Sequence, residues 1–282
     1  MQTAQQTNEQ QIALWNGSAG RAWVETQESL DRLFEPFENL IVEAVVARRA
    51  QRVLDVGCGT GSTTLAIARR LGAHRAAVGV DLSEPMIALA QARASAESVL
   101  PQFICADAQR HAFEPASFDM IVSRFGVMFF DDSVRAFANL RRAAKPGADL
   151  NVIVWRGAAE NPFMTVAERA AAPFLPEMPA RRSDEPGQFA FANRDRVGSI
   201  LEQSGWAAID IQPLDVACTL PEAELDPYLS KLGPLGRVLQ EAGDRTRSRV
   251  LETVRAAFEP YVHDTAVRFT AACWMVGARA PE

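Results

Sequence analysis

The 282-residue chain lacks the features that mark several large classes of protein. No segment approaches the roughly 18 consecutive apolar residues that a membrane-spanning helix needs. The first eleven residues, MQTAQQTNEQQ, contain neither the basic start nor the apolar core of a secretory signal. We therefore expect a protein without a membrane partner that resides in the cytoplasm.

Cysteine is scarce and widely spread, at Cys58, Cys105, Cys218 and Cys273. This spacing does not match the closely paired cysteines of a zinc site, so we expect no metal. Separated cysteines in a chain without a secretory signal are typical of reduced, cytoplasmic thiols.

Positive charge is also in deficit, since 29 basic residues face 35 acidic ones and the net charge is −6. Proteins that bind nucleic acid usually present a basic stripe to the phosphates. We therefore expect no nucleic-acid partner. The length and the 48% hydrophobic content favour one globular α/β domain with insertions.

The most informative segment is the run VLDVGCGTG at residues 53–61. Its first four residues predict a buried strand, and a helix is expected at 62–71. Between them, Gly57, Gly59 and Gly61 alternate with other residues. Glycine permits positive φ and lets the backbone approach a ligand closely. A strand, a glycine turn and a helix N-terminus in this order favour a nucleotide-like ligand, the alternative being a tight turn without one.

The spacing of the glycines distinguishes between such ligands. A dinucleotide fingerprint has the form G-x-G-x-x-G, but Ser62 stands where its third glycine belongs and Gly61 comes one position early. This short form, with Asp55 two residues before the first glycine, resembles motif I of class I S-adenosylmethionine (SAM)-dependent methyltransferases. The closest likeness is to the ubiquinone/menaquinone-biosynthesis-like group. The resemblance implies SAM as the cofactor.

The same resemblance extends to the strands that follow. Asp81 ends a second strand and would accept both ribose hydroxyls, although it could also belong to the start of the next helix. A third strand, 102–105, leads to Asp107 and Ala108, which would bind the adenine amino group and face the adenine ring. The residues that the resemblance assigns to the cofactor are Asp55, Gly57, Cys58, Gly59, Gly61, Asp81, Leu82, Met86, Asp107, Ala108, Ser123 and Arg124.

Two tryptophans near the N-terminus extend this set. Trp15 and Trp23 lie just over two helical turns apart and could share a face. If this segment covers the cofactor, their rings would shield the sulfonium through cation–π contacts. Docking on the sheet edge is the alternative. Arg124, at the end of the fourth strand, could face the cofactor carboxylate or an acidic substrate.

The implied fold class is α/β, with a Rossmann-like seven-stranded sheet, mostly parallel with an antiparallel last strand, helices on both faces and a helical lid. We divide the chain into N-terminal helices (1–50), a SAM-binding core (51–156), a lid insertion (157–193), a core helix and strand (194–213), a helical lid (214–265) and the final strand (266–282).

The expected activity is methyl transfer to a small organic acceptor in a lidded apolar pocket, by a monomer or homodimer. His263, before the last strand, is the candidate general base. The Asn/Asp-Pro-Pro-aromatic and Pro-Cys motifs of nucleobase methyltransferases are absent from the sequence. The alternatives are a SAM-fold enzyme without methyl transfer, such as a cyclase or decarboxylase, and a non-catalytic SAM-binding protein.

Overall fold

The computed structural model describes residues 4–72, 75–97, 101–175 and 185–282, with side chains from residue 8 onward. The N-terminal helices are α1 (Ala4–Asn16), α2 (Ser18–Glu25) and α3 (Gln27–Ala47). The core then runs β1 (Arg52–Val56), α4 (Ser62–Leu71), β2 (Ala76–Asp81), α5 (Glu84–Glu97), β3 (Gln102–Cys105), β4 (Phe118–Arg124), α6 (Ser133–Ala143) and β5 (Ala144–Trp155). The remaining elements are α7 (Pro162–Ala171), α8 (Arg194–Gln203), β6 (Ala207–Pro221), α9 (Leu225–Lys231), α10 (Gly233–Glu241), α11 (Asp244–Ala257), β7 (Val262–His263) and β8 (Ala266–Arg279).

One mixed sheet organises these elements, with the strand order β3-β2-β1-β4-β5-β8-β6. Strands β1 to β5 pair in parallel, whereas β8 is antiparallel to both β5 and β6. The two-residue β7 adds a short antiparallel pairing to β8. This arrangement confirms the predicted Rossmann-like sheet with its antiparallel last strand.

The core lies on both faces of the parallel strands. Val53, Leu54 and Val56 of β1 are at most 1% exposed, as expected for a central strand covered by helices. The helix α3 packs on one face through apolar residues three and four positions apart, including Phe37 and Ile41, which are both fully buried. The sheet is therefore held rigidly where its strands end.

The strand β6 corrects the predicted boundary of the helical lid. It continues to Pro221, so residues 214–221 belong to the sheet and the lid segment becomes helical only afterwards. Along this stretch Val216, Cys218 and Leu220 are buried in alternation with exposed residues, which is the period of a strand. Pro213 is tolerated because β6 is an edge strand, where a missing N–H breaks no ladder.

The predicted lid insertion, 157–193, contains the regular helix α7 despite its many prolines. Its residues 176–184 lie outside the described residues. In the described part of the chain, no helix is both long and apolar enough to cross a membrane.

Candidate active site

A cavity of about 510 Å³ lies at the carboxyl ends of β1 to β5. The glycine loop and the loops after β2 and β3 line it. Side chains from α3, β5, α7, α9 and α10 line it as well, together with residues of α1 and α2. The volume is in the range of roughly 300–1,000 Å³ that small-molecule sites have.

The three glycines of the loop have different surroundings. Gly57 has φ +69°, and a Cβ there would lie 2.5 Å from the Cα of Gly126. A Cβ at Gly61 would lie 2.9 Å from Ala90 Cβ, so this glycine also serves packing and does not line the cavity. Gly59 has φ +54°, and its nearest neighbour would be the Sδ of Met86 at 3.8 Å. Gly59 therefore leaves open space at the cavity wall that a closely approaching ligand could fill.

Asp81 is fixed by two backbone donors beside this loop. Its Oδ2 accepts the Gly59 N–H at 2.8 Å, and its Oδ1 accepts the Ser83 N–H at 2.9 Å. Burial raises the carboxyl pKa, and these hydrogen bonds oppose that rise. Each oxygen keeps a further lone pair, so the group can still accept two hydroxyls. Leu82 and Met86 line the cavity next to it.

Asp107 carries an acceptor with no hydrogen bond in the described residues. Its Oδ1 accepts the Gln109 N–H at 2.9 Å, whereas its buried Oδ2 has no donor; the Nε of Arg110 is 3.6 Å away. Buried polar atoms are rarely left unsatisfied. The adjacent Ala108 is buried and lines the cavity. The pair fits a ligand with an amino group next to a flat ring.

Two residues that the sequence assigned to the cofactor support the loops from behind. Asp55 is 2% exposed and accepts the Thr64 hydroxyl at 2.6 Å, and burial raises the pKa of its carboxyl to about 6. The Ser123 hydroxyl donates to the Val56 carbonyl at 2.7 Å and accepts the Gly126 N–H at 3.1 Å. Neither side chain lines the cavity, because Asp55 joins β1 to α4 and Ser123 joins the ends of β4 and β1.

Cys58 and Arg124 do line the cavity. Burial raises the pKa of the Cys58 thiol well above its usual value, so it remains protonated. Arg124 donates to the Phe34 carbonyl at 3.3 Å, and its guanidinium carbon lies 5.6 Å from the Phe34 ring centroid. Burial lowers its pKa, and the nearby Glu38 opposes this most strongly.

The N-terminal tryptophans come together on the cavity wall, although they belong to two helices, α1 and α2, and not to one helical face. The rings of Trp15 and Trp23 lie edge to face, 6.2 Å apart between centroids. Trp15 also meets Phe129 at 5.0 Å, and Trp23 stacks on Phe34 at 6.4 Å. This segment therefore borders the cavity with aromatic side chains.

Sequence reasoning missed an aromatic wall of the cavity, built at the carboxyl ends of β4 and β5. Phe125 stacks on Trp155 at 4.3 Å with an interplanar angle of 7°, and Phe163 meets Trp155 at 6.3 Å. Phe125 has φ +64°, a strained conformation for a bulky residue that the surrounding rings hold in place. The available signal was positional, since Phe125 and Trp155 fall at the carboxyl ends of β4 and β5.

Sequence reasoning also missed a link between α3 and the glycine loop. Arg93 of α5 donates to the Thr60 carbonyl at 2.7 Å and pairs with Asp31 of α3 at 2.6 Å. Asp31 lines the cavity as well. The position of the glycine loop thus depends on an ion pair between helices distant in the sequence.

The structure does not support His263 as the general base. It is exposed in the two-residue strand β7, where it pairs with Ala266, and it does not line the cavity. The short hairpin that joins β7 to β8, with Asp264 at φ +57°, keeps this histidine on the surface. None of the histidines in the described residues lines the cavity.

Comparison with known proteins agrees with this geometry. Residues 53–147 match the family model described as a methyltransferase domain. The chain is 28% identical over 187 residues to the demethylmenaquinone methyltransferase of Renibacterium salmoninarum, covering 64% of this chain and 76% of that one.

Solved structures agree in fold. The YcgJ protein of Bacillus subtilis has a TM-score of 0.57 at 17% identity and covers 87% of this chain and 98% of its own. The 4+2 cyclase SpnF has a TM-score of 0.54 at 21% identity, with 87% of this chain and 80% of that one covered.

The sheet order, the glycine loop and the acids after β2 and β3 are typical of Rossmann-like folds that bind a nucleoside cofactor. The family match makes the class specific. Residues 53–147 match a methyltransferase domain, and SAM is the nucleoside cofactor that this match indicates. The unused Asp107 acceptor and the open space at Gly59 fit that cofactor.

Proposed function

We propose that this protein transfers the methyl group of SAM to a small organic acceptor held against the aromatic wall of the cavity. The observation that carries the proposal is the continuity of the cavity. Gly59, Asp81 and Asp107 line the same cavity as the rings of Phe125 and Trp155. One chamber can thus hold the cofactor and an acceptor side by side.

Specific residues would hold each part of the cofactor. Asp81 would accept the ribose hydroxyls, Asp107 Oδ2 would accept the adenine amino group, and the open side of Gly59 would admit the amino-acid portion. When bound, SAM supplies an activated methyl group together with its own leaving group. The protein then has to align the acceptor, exclude water and provide a favourable surface for a cation. The ring of Trp15, which lines the cavity, would provide that surface.

The acceptor is proposed to contain an aromatic or otherwise flat apolar group. Flat ligands stack favourably on aromatic rings. The cavity is lined by the rings of Phe34, Phe125, Trp155 and Phe163. The relative from Renibacterium is named for demethylmenaquinone, which is consistent with this proposal. We propose a soluble acceptor and a cytoplasmic monomer or homodimer, with no nucleic-acid partner.

Segments that lie outside the matched residues 53–147 would close the site. Lining residues come from α1 and α2, from α7 within the 157–193 insertion, and from α9 and α10 within 222–265. Closure of such segments would exclude water from the reacting groups. We expect added S-adenosylhomocysteine (SAH) to slow hydrogen exchange in these segments, while β1 and β4 stay protected throughout. Equal protection of α9 and α10 with and without SAH would make them a fixed wall.

Release of SAH tests the proposed reaction. The protein is incubated with SAM and a panel of phenols, quinols, thiols and amines, and both SAH and a methylated product are measured. We expect acceptor-dependent SAH formation that D107N reduces sharply. Binding of SAM without SAH release for any acceptor class would refute methyl transfer to small molecules of these kinds.

A SAM-fold enzyme without methyl transfer is the second candidate, because the 4+2 cyclase SpnF shares this fold. The likeness concerns the fold alone. The two candidates differ in stoichiometry, since a methyltransferase releases one SAH per product and a cyclase turns over while its SAM remains intact.

A further inference from the structure

Asn16, at the end of α1, makes a two-sided contact with the loop between β2 and α5. Its Nδ2 donates to the Leu82 carbonyl at 3.0 Å, and its Oδ1 accepts the Glu84 N–H at 2.8 Å. Glu84 is in the first turn of α5, where N–H groups lack partners within the helix. One amide therefore satisfies a donor and an acceptor of a loop that is distant in the sequence.

A second contact brings the two backbones together at the same place. The Ser83 hydroxyl donates to the Trp15 carbonyl at 2.6 Å, and Ser83 is fully buried. Gly20 of α2 packs against both, since a Cβ there would lie 1.9 Å from the Trp15 oxygen and 2.8 Å from Ser83 Oγ. The approach has no room for an added methyl group, so the N-terminal segment meets this loop in one defined position.

The contacted loop is the one that orients Asp81. The Ser83 N–H holds Asp81 Oδ1 at 2.9 Å, and Asp81 Oδ2 in turn holds the Gly59 N–H at 2.8 Å. A chain of hydrogen bonds therefore runs from Asn16 through residues 82–84 to Asp81 and Gly59. Its members are backbone groups and short side chains, which have few alternative positions.

We propose that Asn16 is a positioning residue that couples docking of α1 and α2 to binding of the cofactor. The inference rests on the proposed function of the cavity. Docking of the N-terminal segment and occupation of the ribose site would favour the same conformation of residues 82–84, so each would strengthen the other. A residue that only capped α5 would stabilise the helix without making SAH binding depend on the N-terminal segment.

Two substitutions separate these roles. N16D keeps an acceptor for the Glu84 N–H but has no N–H for the Leu82 carbonyl, whereas N16A loses both contacts. We would measure SAH affinity by calorimetry, urea unfolding without ligand, and hydrogen exchange of residues 8–25 with and without SAH. E25Q is the matched control, because the Glu25–Lys231 pair, at 2.7 Å, joins α2 to α9 and not to the cofactor loop.

We expect N16D to bind SAH about tenfold more weakly, to unfold near the unsubstituted urea midpoint, and to lose most SAH-induced protection of residues 8–25. N16A should bind at least as weakly, and E25Q should stay within about twofold of the unsubstituted protein. Unchanged SAH affinity in both Asn16 variants would overturn this inference and leave the proposed function standing. Weakened affinity with undiminished SAH-induced protection would also overturn it. Failure of the unsubstituted protein to bind SAH would overturn the proposed function together with the inference.

Discussion

Substituting two glycines of the same loop by alanine should separate packing from ligand binding. Gly57 and Gly59 both have positive φ, and alanine in this conformation destabilises the folded state by about 1–2 kcal/mol. Alanine also lowers the entropy of the unfolded chain, which stabilises the protein by about 0.4–1 kcal/mol. The environments differ, however. The new Cβ in G57A would lie 2.5 Å from the backbone of Gly126, whereas that in G59A would meet Met86 Sδ at 3.8 Å. Only G57A must therefore displace neighbouring backbone.

The clash in G57A should add about 1–3 kcal/mol, the usual cost of overpacking. We expect G57A to lose about 2–4 kcal/mol of unfolding free energy and G59A about 1 kcal/mol, measured by urea unfolding without ligand. G59A, whose methyl group enters the cavity, should bind SAH at least about tenfold more weakly by calorimetry. Equal destabilisation of the two variants would refute the steric reasoning. Unchanged SAH affinity in G59A would refute its place in the cofactor site.

Two further predictions concern buried carboxyls. Burial raises the Asp55 pKa from 3.8 to about 6, so the stabilising effect of its protonated carboxyl is present below the unfolded pKa and is lost as pH rises through the folded pKa. The unfolding free energy of the unsubstituted protein relative to D55N should therefore fall by about 2.4 kcal/mol between pH 4 and 7, and a flat difference would contradict this. D107N should weaken SAH binding by about 1.5–3 kcal/mol, because an amide N–H can replace the acceptor Oδ2. The exposed Glu114 gives the control variant E114Q, and equal SAH affinities of D107N and the unsubstituted protein would remove Asp107 from the adenine site.

The cofactor half of the site could be predicted because its residues follow local patterns. The strand β3 and the helix α4 have the predicted bounds, and Asp81 and Asp107 fall at strand ends where parallel strands converge. Once the order of strands is known, a residue at a carboxyl end needs no further information to reach the site. The local motif therefore predicts where these residues lie in the site.

The errors arose where position depends on pairing between distant segments. Residues 214–221 were expected in the helical lid, but they continue β6 and pair with β8, and the edge position of β6 explains why the strand tolerates Pro213. His263 precedes the last strand and was therefore expected near the site. Its location depends on whether the chain enters β8 directly or through a hairpin. The pairing of β7 with β8 forms a hairpin, which leaves His263 outside the cavity.

The N-terminal segment lies between these two cases. The sequence placed Trp15 and Trp23 on one face, but it could not choose between a cover for the cofactor and a helix docked on the sheet edge. The structure identifies the group that fixes the segment, because Asn16 satisfies both a carbonyl and an N–H of the loop beside Asp81. A contact between an amide side chain and the N–H and carbonyl of a distant loop leaves no periodic pattern and no fixed spacing in the sequence. Such contacts emerge only when the fold brings the two segments together, and here they connect the N-terminal segment to the loop beside Asp81.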